Sequence, residues 1–315
     1  MRRTLLLASL LMVPALASSQ DFNLETPTGN LSGTLELPEG EGPFPVALFL
    51  PASGSVDRDG NRLLVAARGK NEAIKQIAQG LAEQGIASVR YDKRGLAGSQ
   101  PASIPPDKLT YQTYVDDGKA WAEKLADDER FSELYLIGYD EGALNAALVA
   151  QEVDAAGVVA LAPIPVPAAD FTKKQISNAP GMQPEQVAKI QEIIDTLAKG
   201  EQVNDLEAPY SQLFPPQGQP YLISWFKYQP GAEFAKLESP VLVIYPEFDK
   251  AFTPAEVEAL AEAAPEGEFV EVSGMNHYLK ESTDEQTAQA KTLIDPSVPV
   301  PAPLIEALAK FAKGE

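Results

Sequence analysis

The apolar run Leu134-Tyr135-Leu136-Ile137 leads into Gly138-Tyr139-Asp140-Glu141-Gly142 and on to Ala143-Leu144-Asn145-Ala146-Ala147-Leu148-Val149-Ala150, which reads as a helix. A buried strand that turns this sharply into a helix forces backbone against backbone. Positions 138 and 142 then have no room for a Cβ, which is the physical reason for two glycines four residues apart. The residue midway is lifted to the helix N-terminus, where unpaired amides and the helix dipole favour negative charge. Asp140 is therefore electrostatically suited to its place, and the turn constrains the fold more than any other segment does.

The rest of the chain alternates strand and helix in the way that builds a mostly parallel sheet covered on both faces. Residues 22–25 and 31–37 read as an opening antiparallel pair, and residues 46–50 as the next buried strand. Further strands are predicted over 86–91, 134–137, 157–162 and 241–245, with helices over 72–84, 111–125, 254–263 and 303–313. The excursion at 166–239 is expected to form an inserted helical cap. Within it Val187, Ile190, Ile194 and Leu197 share one helical stripe, and residues 214–216 and 221–226 supply aromatic surface suited to an apolar group. The expected core comprises 20–165 and 240–315.

His277 is the only histidine in 315 residues, and it follows the alternating run Glu268-Phe269-Val270-Glu271-Val272 and a turn. The β-branched run Val241-Leu242-Val243-Ile244 stops at two carboxylates, Glu247 and Asp249; Asp249 is the favoured partner for the histidine and Glu247 the competitor. Elbow, acid, then histidine is the order of nucleophile, acid and histidine in α/β-hydrolases. With the segments 50–61, Arg90-Tyr91-Asp92-Lys93-Arg94-Gly95 and Gly274-Met275-Asn276-His277, the chain from about Leu24 onward resembles secreted or periplasmic α/β-hydrolases related to serine aminopeptidases and acyl-transfer esterases. That resemblance implies an α/β-hydrolase fold with Asp140, Asp249 and His277 as the catalytic constellation, and the backbone amides of Ser53 and Glu141 as the oxyanion hole. It also implies a hydrolase acting on ester or related bonds of a small apolar substrate. The family pattern carries His-Ser where Tyr139-Asp140 stand, and usually Gly at Ala52.

Aspartate changes the feasible reaction. A carboxylate attacking an ester must expel a more basic alkoxide to give a mixed anhydride, which collapses back to substrate. At a saturated carbon it displaces a halide or epoxide oxygen, and water activated by His277 can hydrolyse the resulting alkyl ester. Haloalkane dehalogenases and epoxide hydrolases of the same fold work in this way, but they place tryptophan after the aspartate, where this chain has Glu141. Epoxide opening needs cap tyrosines as acids, and Tyr210, Tyr221 and Tyr228 are candidates. A third alternative is a degenerate, non-catalytic binding protein. Two carboxylates around His277 also predict a raised imidazole pKa.

Arg2 and Arg3, the apolar run 5–14 and the small residues Ala15-Leu16-Ala17 read as a secretory signal over residues 1–19, so a secreted or periplasmic protein is expected. The chain has no cysteine, which a chain of this length tolerates because it can bury a sizeable core without disulfides. A formal charge of −20 argues against nucleic acid or an anionic membrane as partners, leaving a small-molecule substrate. No HExxH, Cys/His cluster, Walker loop or dinucleotide fingerprint occurs, so neither metal nor organic cofactor is expected.

Overall fold

The structure, a computed structural model, describes residues 18–64, 70–177, 179 and 181–315. Most of the signal-like segment lies outside them. Ser18 and Ser19, also within the range read as signal, open strand β1 (Ser18–Asp21) and pair with Leu37 and Glu36. The remaining strands are β2 (Leu24–Thr26), β3 (Gly29–Leu31), β4 (Gly33–Leu37), β5 (Phe44–Leu50), β6 (Ala87–Tyr91), β7 (Phe131–Tyr139), β8 (Gly157–Leu161), β9 (Val241–Phe248) and β10 (Gly267–Asn276). Eight of them form one sheet in the order β1-β4-β6-β5-β7-β8-β9-β10, while β2 and β3 pair as a separate hairpin. From β6 to β10 every neighbouring pair is parallel, and β1 and β4 add an antiparallel edge.

The predicted strand over 31–37 is divided at Ser32, a correction with a local cause. The Ser32 carbonyl accepts from the Asp92 amide, and its own amide donates to the Ser99 hydroxyl, so neither backbone group is free to extend a ladder. Beside it a Cβ on Gly33 would overlap the Phe22 carbonyl, so the chain can pass there only as glycine.

Alternation along β5 explains the two faces. Val46, Leu48 and Leu50 enter one apolar cluster, and Ala47 and Phe49 the other, as period-two geometry requires. Helices α1 (Ala73–Glu83) and α11 (Ala302–Lys313) cover the second face; α2 (Tyr111–Ala126), α3 (Glu141–Ala150) and α9 (Pro254–Ala263) cover the first. Between β8 and β9 lie α4 (Ala168–Ser177), α5 (Pro184–Ala198), α6 (Tyr210–Leu213), α7 (Gln219–Phe226) and α8 (Pro230–Phe234). The stripe read in α5 is buried at Ile190, Ile194 and Leu197, together with Ile193, and joins the same core as α2 and α3. A short α10 (Gln286–Lys291) precedes α11.

The β7-to-α3 turn is as tight as its glycines imply. A Cβ on Gly138 would overlap the Gly142 carbonyl, and one on Gly142 would overlap the Leu50 carbonyl at the end of β5. Neither obstacle is a side chain that could swing aside. Gly142→Ala is therefore expected to destabilise the protein by roughly 3 kcal/mol, read as a lower urea midpoint with an unchanged slope.

Candidate active site

Asp140 takes φ 57° and ψ −115°, a conformation that costs a non-glycine residue about 1–3 kcal/mol. The fold holds it there: the Asp140 amide donates to Leu161 O at 3.0 Å, and its carbonyl accepts from the Ala143 amide at 3.2 Å. The residue is buried, and one carboxylate oxygen carries its polar contacts. Oδ2 accepts from the Ser53 amide at 3.1 Å and from the Ser53 hydroxyl. Among the described residues Oδ1 has no hydrogen-bond partner. Glu141 is the first residue of α3, so its amide is one of the helix's unpaired N-terminal donors.

His277 directly follows β10, and its loop is anchored from below. Asn276, fully buried, accepts from the Tyr278 and Lys280 amides and donates to Gln289 and Thr292. Tyr139 donates its hydroxyl to the His277 carbonyl at 2.9 Å. The imidazole Nδ1 lies 2.8 Å from Asp249 Oδ2, while Asp249 Oδ1 accepts from the Ala251 amide at 2.7 Å. The competing acid, Glu247, is exposed and caps the Gly274 amide instead. Burial lowers the affinity of His277 for a proton, but the Asp249 hydrogen bond, the Asp249 charge and then the Asp140 charge outweigh it and leave the pKa above the usual imidazole value. No hydrogen bond joins His277 to Asp140, because the Asp140 carboxylate is turned onto the two Ser53 donors.

Against Ser53, which holds the Asp140 carboxylate, and Glu141, which follows Asp140, opens a cavity of about 540 Å³, lined also by Lys93, Tyr114, Tyr221 and Trp225 among others; Asp140, Asp249 and His277 do not line it. The lining residues come from the ends of β5, β6 and β7, from α2, and from α7 in the insertion. Of the three tyrosines named as acid candidates only Tyr221 lines it; Tyr228 donates to Gln112. Tyr221 donates to Glu141 Oε1 at 2.8 Å, and Tyr111 to the Glu141 carbonyl at 3.0 Å. Burial raises the Glu141 pKa above the usual carboxyl value, although Lys93 and the Tyr221 hydrogen bond pull against it.

Neighbouring charges are tied to the scaffold. Asp92 pairs with Arg58, Arg90 with Glu36 and Asp59, and Arg94 with Asp117. Lys93 differs from the arginines flanking it. In sequence it reads as part of the same ion-paired loop, whereas the structure turns it into the cavity, over the Tyr114 ring. Nothing in the sequence separates it from the adjacent Arg94, which is pinned to α2 through Asp117. Among the described residues no three His, Cys, Asp or Glu side chains cluster to hold a metal, and no helix is long and apolar enough to cross a membrane.

A family model described as serine aminopeptidase, S33, matches residues 62–210, a stretch that holds the elbow but neither Asp249 nor His277. The esterase EstD of Thermotoga maritima is 30% identical over 166 residues, 52% of this chain but only 38% of that esterase. Among solved structures, the α/β hydrolase GrgF from a Penicillium species superposes with a TM-score of 0.60 at 16% identity, covering 94% of this chain and 98% of that one. Est1E from Butyrivibrio proteoclasticus, solved with ferulic acid, gives 0.56 at 14% identity over 90% and 93%. The fold is the α/β-hydrolase fold. At these identities the structural likeness speaks for architecture alone, and the chain's similarity to esterases comes from the partial sequence matches.

Proposed function

We propose that this protein is an exported α/β-fold hydrolase in which Asp140 is the nucleophile toward a saturated carbon, an epoxide carbon in particular, of a small, largely apolar molecule. The observation that carries the reading is the division of labour within the Asp140 carboxylate. Oδ2 rests on the Ser53 donors and Oδ1 has no protein partner among the described residues, so one oxygen is held and the other is free to attack.

In the first step Oδ1 bonds to the epoxide carbon, the ring C–O bond breaks, and the departing oxygen takes the Tyr221 proton. The product is an alkyl ester on Asp140. In the second step His277, oriented by Asp249, takes a proton from water as the water attacks Cγ of that ester. Negative charge then develops on Oδ2, where the Ser53 amide and hydroxyl already sit and the Glu141 amide adds a donor, so the oxyanion hole serves the enzyme's own ester. Collapse breaks the Cγ–O bond to the substrate carbon, the imidazolium returns its proton to the leaving alkoxide, and the Asp140 carboxylic acid so formed yields its proton through solvent to the Tyr221 phenolate, which restores both side chains. The bond hydrolysed is an ester, in keeping with the chain's similarity to esterases, but it is one the protein has made.

Glu141 is the reason to favour an epoxide over a haloalkane. Its side chain lines the cavity, where a departing halide would meet a carboxylate, whereas an epoxide oxygen leaves as a neutral hydroxyl. The insertion at 166–239 acts on this reading as the cap that supplies Tyr221 and Trp225. The decisive measurement is intact-protein mass spectrometry after exposure to styrene oxide, 1-bromobutane and p-nitrophenyl acetate. A one-epoxide adduct mapping to the Asp140 peptide, absent from Asp140→Asn, is the expected result. Folded protein that forms no adduct and turns over none of the three would instead be a binding protein that has lost turnover.

A further inference from the structure

The cavity beside Asp140 has a pair of charged side chains, Lys93 and Glu141, that take no covalent or proton-transfer part in the proposed chemistry. Lys93 is 5% exposed, yet its ammonium has no hydrogen-bond acceptor within 3.5 Å among the described residues; Glu141 Oε1 lies at 3.7 Å. The ring of Tyr114 sits 4.9 Å beneath the ammonium and offers attraction but no acceptor. This loose ion pair leaves ammonium protons available to a group in the cavity that Lys93 lines. Glu141 is also 5% exposed, and its Oε1 accepts the Tyr221 hydrogen bond while Oε2 has no hydrogen-bond partner among the described residues. A loose ion pair, with donor and acceptor capacity to spare on both partners, thus stands at one wall of the cavity.

Complementarity narrows what fits between them. A carboxylate would gain Lys93 but meet the like charge of Glu141, and an amine would gain Glu141 but meet Lys93. A hydroxyl accepts from the ammonium through a lone pair and donates its proton to the carboxylate, satisfying both. The neighbouring walls are aromatic: Tyr114 and Tyr221 lie edge to face at 5.8 Å, and Tyr221 and Trp225 are 6.0 Å apart. Leu96, Ile104 and Leu109 complete an apolar lining suited to a flat ring.

We infer that Lys93 and Glu141 form a hydroxyl-recognition site, and that the substrate class is aryl compounds carrying a free ring hydroxyl. This rests on the reading that substrate occupies the cavity next to Asp140. It makes Lys93 a specificity-determining residue rather than a structural one.

Equilibrium binding of 4-ethylphenol, 4-ethylanisole, ethylbenzene and 4-ethylbenzoate to the wild-type protein tests it, followed by the fluorescence of Trp225. The second tryptophan, Trp121, lies apart in the core against Phe22 and Tyr91. None of these probes has an epoxide or halide for Asp140 to open, so the outcome stands whether or not the protein turns over a substrate. We expect 4-ethylphenol to bind at least about tenfold more tightly than each of the others, and the preference to shrink below about threefold in Lys93→Met. The methyl ether isolates the Glu141 half of the site, because it keeps the acceptor and loses the donor. Equal binding of phenol and ethylbenzene, tighter binding of the benzoate, no binding of any probe, or a preference that survives in Lys93→Met would each overturn the inference. If Lys93→Met does not fold, the four-probe series on the wild type decides alone.

Discussion

Replacing Asp140 by serine is expected to raise the hydrolysis of p-nitrophenyl acetate by about 10³-fold or more. Two contributions combine. The substitution removes the carboxylate from Ser53, so the Ser53 amide is released to hold a substrate oxyanion, an interaction worth about 10²–10³ in rate. It also installs a hydroxyl oxygen where Cγ now stands, on a backbone already held at the strained φ and ψ of the turn and close to an imidazole paired with Asp249. General-base activation of that hydroxyl adds about 10²–10⁴. Serine gives a stable acyl ester where aspartate gives an anhydride that reverts, so the gain is a change of feasible chemistry and not only of rate. Nitrophenol release by a folded Asp140→Ser protein, checked by circular dichroism, measures it. An unchanged rate would mean that Ser53, His277 and Asp249 are not arranged for acyl transfer.

Much of this site was legible in the sequence because it depends on backbone necessity. Gly138 and Gly142 are required wherever a strand turns this tightly into a helix, and they locate Asp140 without further information. The β-branched run of β9 and the single histidine point to Asp249 and His277, which the structure pairs. What could not be read was where side chains point. Lys93 and Arg94 are adjacent basic residues in one loop; only the fold shows that Arg94 reaches α2 and Lys93 reaches the cavity. Nor does sequence reveal that Asp140 turns to Ser53 rather than to His277, a choice set by two donors converging on one oxygen across 87 positions of chain. The break at Ser32 was likewise invisible, since its hydrogen bonds go to residues more than 50 positions away.

Wild-type protein given an epoxide should accumulate its Asp140 ester near neutral pH and clear it in alkali. His277 holds its proton more tightly than an ordinary imidazole because the pull of Asp249 and Asp140 exceeds the opposing effect of burial. A protonated imidazole does not impede attack by Oδ1, so the alkyl ester forms. It cannot accept a proton from water, however, so ester hydrolysis waits for the neutral fraction and accelerates about tenfold per pH unit until the folded pKa is reached. Quenched-flow mass spectrometry across this range should show the adduct population falling as pH rises; a population independent of pH would exclude His277 as the base. Stability carries the linked signal with a definite sign. A raised folded pKa contributes stability that is fully present below the unfolded value near 6.5 and is lost as pH rises through the folded pKa. Lys280 acts in the opposite direction. Burial lowers its pKa to about 8, so its destabilising effect is relieved as pH climbs from there toward 10.5. Melting curves of the wild type therefore mix the two, and Lys280→Met is needed to expose the His277 contribution. Direct titration avoids the overlap: with one imidazole in the chain, its NMR resonance needs no assignment, and a pKa at or below the ordinary value would remove the basis for the alkaline clearance of the ester.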